Sequence, residues 1–130
     1  PKLNRDLLIT GALLHDIGKL EELEVSTHIK VTNKGNILGH ITIGVQILSK
    51  AFEKLDIPED YKLKVLHMVI SHHGKMEYGS PKTPAFPEAL ALYYADEFDA
   101  KIHMMIAAKE NAATEDDYIN TKEFGNVYLK

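Results

Sequence analysis

The stretch ALLHDIGKL, residues 12–20, sets His15 beside Asp16 after an apolar run and follows them with Gly18 and Lys19. Imidazole and carboxylate together are ligands for divalent cations once both are deprotonated. Neighbours on a helix point about 100° apart, so both reach one ion only near a helix end, where they splay. The bland alternative is a polar helix terminus, with His15 by the last carbonyls and Gly18 as the stop. Further residues bear on the choice. His40 follows Gly39 at the start of a helix, where imidazolium is disfavoured and neutral imidazole is suited to a metal. His72 and His73 close a helix just before Gly74, in line with Val65 and Val69 and with Leu66 and Ile70. At least one of these two rings is therefore expected to be partly buried. Asp96 falls in an apolar helical face formed by Ala89, Leu92, Tyr93 and Ala100. A carboxylate there is costly unless a cation or strong donors meet it.

The elements that must position these groups are mostly helical. Asn4 is a suitable N-cap for a helix with Leu7, Leu8, Ala12, Leu14 and Ile17, stopped by Gly18. Val25, Ile29 and Val31 have strand-like spacing and NKGN is a turn signal, so a small hairpin is expected near residues 24–38. From Gly39 the apolar period returns through Ile41, Val45, Leu48, Phe52 and Leu55. Pro58 suits the first turn of the next helix, with Leu63, Leu66, Val69 and Ile70, and Pro87 opens the longest one. KMEYGSPKTPAFP reads as loop. The polar tail ends with Phe124, Val127, Tyr128 and Leu129, expected to pack back as a loop or short helix. The fold class is thus all-α with one β-like insertion, and the unusual residues sit at helix ends.

Composition narrows the chemistry. A chain of 130 residues is one domain by size and long enough to bury a core. A net charge of −4 argues against broad nucleic-acid binding through a basic surface, although a bound cation would supply local positive charge. Without cysteine there are no disulfides, thiolate zinc sites or cysteine nucleophiles. No apolar run is long enough for a membrane span, and no signal peptide is visible, which fits a cytoplasmic protein. His15, Asp16, His40, His72 and Asp96 come from four different helices. This nitrogen and carboxylate set favours Mn or Fe, with Ni, Mg or Zn also compatible. Asp16 could bridge two ions, and a two-metal clamp is suited to phosphate-ester hydrolysis.

HDIGK, with downstream histidines and a helical aspartate, resembles the HD superfamily of metal-dependent phosphohydrolases. The longer pattern, LLHDIGKLEEL with GNILGHI and HMVISHHGKMEYGSPKTPAFPEALALYYADEFDAKI, is similar to the HD domain of the YhaM family of 3′–5′ exoribonucleases. The likeness extends into the NTKEFGNVYLK tail. It implies an HD-domain helical bundle, two divalent cations, typically manganese, and hydrolysis of RNA, with single-stranded DNA as a further substrate, from the 3′ end. His15, Asp16 and Asp96 match the HD and distal aspartate positions, and His40 and His72 the extra histidines of two-metal members. Lys19 matches the lysine of the signature, near the scissile phosphate. Asp16, Lys19 and His73 are the catalytic candidates, His73 acting as a partner behind His72, a further ligand or a proton shuttle. Lys75 and Ser80, on the loop 75–86 expected to form the rim, are candidate phosphate contacts. Asp99, Lys101, His28, His67 and His103 are expected to be structural or on the surface, and Met68, Met104 and Met105 to fill the core. The family also has a histidine on an earlier helix and an N-terminal OB-fold. Residues 1–130 are therefore expected to be a single HD domain lacking both. A phosphohydrolase acting on nucleotides or cyclic dinucleotides, or a degenerate HD domain acting as a binding module, are the competing readings. A homo-oligomer is compatible with each.

Overall fold

The computed structural model describes residues 2–130. Helix α1 (Arg5–Leu14) starts at Asn4, whose side chain accepts from Leu7 N at 3.0 Å. A turn over residues 15–18 leads to the one-turn helix α2 (Lys19–Glu22). Strands β1 (Leu23–Val25) and β2 (Ile29–Val31) pair antiparallel, Leu23 opposite Val31 and Val25 opposite Ile29. Then come α3 (Asn33–Phe52), α4 (Glu59–Ser71), a 3₁₀ turn (Met76–Tyr78) and α5 (Pro87–Glu110). A second antiparallel hairpin, β3 (Tyr118–Thr121) and β4 (Gly125–Tyr128), ends the chain. The domain is helical, as the sequence pattern implied, with two small hairpins where one was expected.

Three boundaries differ from expectation. NKGN does not turn the hairpin: Thr32 caps α3 by accepting from Gly35 N at 2.9 Å, so these residues open a helix and the hairpin ends at Val31. Gly39 does not begin the helix but interrupts it, with φ 69° and ψ 156°, a region that glycine alone adopts readily. Gly18 is not a left-handed stop, because α1 has already ended and its φ is −63°. It is glycine because of space: a Cβ would lie 1.9 Å from His40 O and 2.7 Å from Gly44 N, so α2 and α3 meet backbone to backbone there. Gly74 does behave as a stop, with φ 75°, and a Cβ on it would strike the Tyr93 ring at 2.3 Å.

Internal contacts divide the chain into a unit over Pro1–Tyr94 and a unit over Ala95–Lys130. The core of the first joins Leu7 of α1, Leu48 of α3, Val65, Met68 and Val69 of α4, and Ala89 and Leu92 of α5. Ile43 is fully buried and Ile41 nearly so, while the expected stripe positions Leu55 and Leu63 are exposed. Burying such side chains is worth about 1.5–3 kcal/mol each. Gly11 lets α1 lie on Met68, whose Cε would be 2.1 Å from a Cβ. In the second unit, Tyr118 and Tyr128 face each other across the hairpin with ring centroids 5.2 Å apart, and Val127 is buried. The tail is therefore a hairpin, not a loop or short helix. Lys101 pairs with Glu97 at 3.1 Å and Glu123 at 3.7 Å. Met104 and Met105 are exposed rather than core, and so is Ala100. Among the described residues no helix is long and apolar enough to cross a membrane.

Candidate metal centre

Four of the predicted histidines and Asp16 meet in the first unit. The splay between His15 and Asp16 arises where α1 stops: His15 is its C-cap and Asp16 lies in the turn before α2. His40 restarts α3 after the Gly39 break, and His72 caps α4. The ring centroids of His72 lie 5.0 Å from His15, 5.5 Å from His40 and 4.2 Å from His73. His40 and His73 are 5.2 Å apart. Donor atoms of His40, His72 and His73 all fall within 4.8 Å of one another.

Hydrogen bonding aims the rings. His72 Nδ1 is 2.7 Å from Val69 O, His15 Nδ1 2.9 Å from Ala12 O, and His73 Nδ1 2.8 Å from Tyr78 O. A carbonyl only accepts, so each Nδ1 carries the proton and each Nε2 keeps its lone pair. Metal-ligating imidazoles are held in this way.

The acceptors converge. His40 Nε2 lies 3.6 Å and His72 Nε2 3.7 Å from Asp16 Oδ1. His15 Nε2 lies 3.5 Å from Asp16 Oδ2. Asp16 Oδ1, His40 Nε2 and His72 Nε2 are buried and make no hydrogen bond. Orphaned buried polar atoms are costly, and three of them facing one another are suited to a cation. With imidazole nitrogen and carboxylate oxygen about 2.0–2.2 Å from an ion, separations near these require shifts of only a few tenths of an ångström. The thiolate-free donors suit a borderline or hard divalent ion.

Protonation is already set for that role. Burial is the largest influence on His72 and pushes its pKa down to about 4, with His73 and His15 adding to the fall. Burial resists ionisation of Asp16, but the Lys19 hydrogen bond, the charges of His15 and Lys19, and His72 outweigh it and hold the carboxyl below its usual value. Neither ligand holds a proton that a cation must displace near neutral pH.

Lys19 Nζ bonds Asp16 Oδ2 at 2.5 Å, leaving Oδ1 for the cluster, while half its side chain remains exposed. Ser80 is not a solvated loop residue. It is buried, and its hydroxyl accepts from His73 N at 3.0 Å, which ties the loop to the end of α4. Lys75 is exposed, 3.7 Å from Glu77 and over the Tyr78 ring. His67 is structural: its Nε2 accepts from Ala85 N at 3.0 Å, and burial, then Lys82, lowers its pKa. His28 and His103 are exposed, His103 bonding Asp99 O. Asp96 lies on the part of α5 in the second unit and is half-buried.

One participant had no visible signal. Glu22 Oε1 accepts from His40 N at 3.0 Å and lies 3.4 Å from His40 Nδ1. Inside the acidic run EELE it is indistinguishable by type from its exposed neighbours, and only the register of α2 against α3 singles it out.

The HD domain family model matches residues 1–101. Among curated proteins, the 3'-5' exoribonuclease YhaM of Bacillus subtilis (strain 168) is 50% identical over 110 residues, covering 85% of this chain and 35% of that protein. The protein of the same name from Bacillus pumilus (strain SAFR-032) is 48% identical over 111 residues, covering 85% and 35%. That from Geobacillus sp. (strain WCH70) is 49% identical over 110 residues, covering 85% and 34%. The chain thus spans about a third of the length of the curated relatives it matches. No solved structure matches it significantly.

Proposed function

The chain belongs to the HD domain family, and on that premise we propose that it is the catalytic phosphodiesterase part of a 3′–5′ exoribonuclease, hydrolysing RNA from its 3′ end. The observation that carries the reading is the convergence of Asp16 Oδ1, His40 Nε2 and His72 Nε2, three buried atoms without hydrogen-bond partners. That the relatives are 3'-5' exoribonucleases supports the substrate. His15, Asp16, His40 and His72 would hold the metal; the sequence resemblance alone adds Asp96 as the distal carboxylate. Their mixed donor set favours manganese, in a pair of ions. Divalent ions supply Lewis acidity for the phosphodiester and lower the pKa of water.

The side chains do the rest. Asp16 divides its carboxylate, one oxygen toward the His40 and His72 imidazoles and one toward Lys19 and His15. Lys19, anchored but half exposed, presents its ammonium where negative charge on a phosphate develops. Lys75, on the exposed loop after α4, supplies a second cation for the RNA backbone. The Ser80 and Tyr78 contacts fix His73 so that its Nε2 can pass a proton without the ring swinging away. The absence of cysteine fits a cytoplasmic setting.

The test is a 5′-labelled single-stranded RNA incubated with the chain in Mn²⁺ and, separately, with chelator. A ladder shortening from the 3′ end only in Mn²⁺, and abolished by Asp16→Asn, is the expected result. Hydrolysis of free nucleotides with no RNA shortening would overturn the exoribonuclease assignment.

A further inference from the structure

Glu22 stands on the far side of the His40 ring from Asp16. Its side chain is mostly covered, 17% exposed. Its Oε1 accepts from His40 N at 3.0 Å and stands 3.4 Å from His40 Nδ1. The other three clustered imidazoles give Nδ1 to a backbone carbonyl close in sequence, at Ala12, Val69 and Tyr78. His40 instead meets a carboxylate from a different element. We propose that Glu22 is a positioning residue for His40, its carboxylate fixing the ring orientation and the Nδ1–H form that turn Nε2 toward Asp16. This rests on the metal-centre reading above.

The surroundings are built to allow the contact. A Cβ on Gly35 would come 2.8 Å from Glu22 Cγ and 2.6 Å from Glu22 O, so glycine there makes room for the side chain under α3. Thr32 N donates to Glu22 O at 2.8 Å and the Thr32 hydroxyl to Glu21 O at 2.9 Å, locking the end of α2 to the start of α3. The Gly39 break makes His40 the first residue of a restarted helix, and Glu22 takes its N–H. The close backbone approach at Gly18 grips His40 from its carbonyl side. A carboxylate behind an imidazole fixes its tautomer and raises its basicity as a ligand, and losing such a partner weakens metal binding about 10–100-fold.

A residue that merely caps the helix would behave differently, and two readouts separate the roles. At about pH 8, ¹⁵N–¹H spectra of the metal-free protein report which nitrogen of His40 bears the proton. The expected result is Nδ1–H in the wild type and a shift toward Nε2–H in Glu22→Ala. Mn²⁺ titration calorimetry should show affinity falling about 10–100-fold in Glu22→Ala and less in Glu22→Gln, which keeps the oxygen but loses the charge. Should Glu22→Ala not fold, Glu22→Gln alone decides, with about a tenfold loss expected. Unchanged tautomer and Mn²⁺ affinity, with at most a lower melting temperature, would overturn the proposal. A wild type that takes up no Mn²⁺ would defeat the metal-centre reading instead, and the tautomer comparison would still decide the Glu22 contact.

Discussion

Gly18→Ala is the most informative small change in this fold. A Cβ there would lie 1.9 Å from His40 O and 2.7 Å from Gly44 N, both backbone atoms that cannot rotate away. Bringing the closer contact to about 3.0 Å requires α2 and α3 to separate by at least about 1.1 Å at His40. Ligand constellations tolerate about 0.5 Å, and His40 Nε2 is already 3.6 Å from Asp16 Oδ1. Overpacking of this kind costs about 1–3 kcal/mol, or roughly 5–15 °C in melting temperature for a domain of this size. Mn²⁺ affinity should fall at least about tenfold as His40 withdraws. Differential scanning fluorimetry with and without Mn²⁺ reads both effects, because a bound ion raises the melting temperature of the folded state only. A variant that melts with the wild type and keeps the full Mn²⁺-dependent rise would refute the argument that backbone contact at Gly18 sets the position of His40.

Other predictions follow from the same geometry. Gly39→Ala meets no atom within 4 Å, so its cost, about 1–3 kcal/mol by chemical denaturation, should come from the backbone at φ 69° alone. Ser80→Ala strips the acceptor from His73 N and should cost about 1–3 kcal/mol, with faster amide exchange at His73. In chelator, stability should fall with acid: the folded pKa of His72, about 4, lies below the unfolded 6.5, so the unfolded chain binds more protons between them. The contribution, about 3 kcal/mol, is complete above about pH 6.5 and lost as pH falls through about 4. His72→Gln should flatten that part of a pH series of urea midpoints. Lys19→Ala removes a cation from Asp16 without removing a proposed ligand, so the proposed RNA hydrolysis should drop about 10²-fold or more while Mn²⁺ affinity holds or rises.

Much of the centre was legible because its residues announce themselves locally. His15 and Asp16 close an apolar run, His40 follows a glycine, and His72 lines up with Val65 and Val69, all three of which are buried in α4 or at its end. Asn4, Gly74 and Pro87 mark ends that propensity alone explains. What stayed hidden depends on approach between distant segments. Gly18 and Gly35 are glycines because another backbone or side chain passes there, not because of φ. Thr32 turned an apparent loop signal into a helix start by capping it. Ser80 and Glu22 have ordinary neighbours in sequence and acquire their roles only through His73 and His40. Met104 and Met105 show the reverse, apolar residues expected to fill the core that their helix leaves exposed.

On the proposed reading, Asp16 Oδ1, His40 Nε2 and His72 Nε2 are orphaned because a divalent cation belongs among them. Anomalous diffraction from crystals grown with Mn²⁺ tests it most directly. A manganese peak about 2.0–2.3 Å from all three atoms is the expected result. Full Mn²⁺ exposure with no peak at those atoms, or a peak held by other side chains alone, would contradict it.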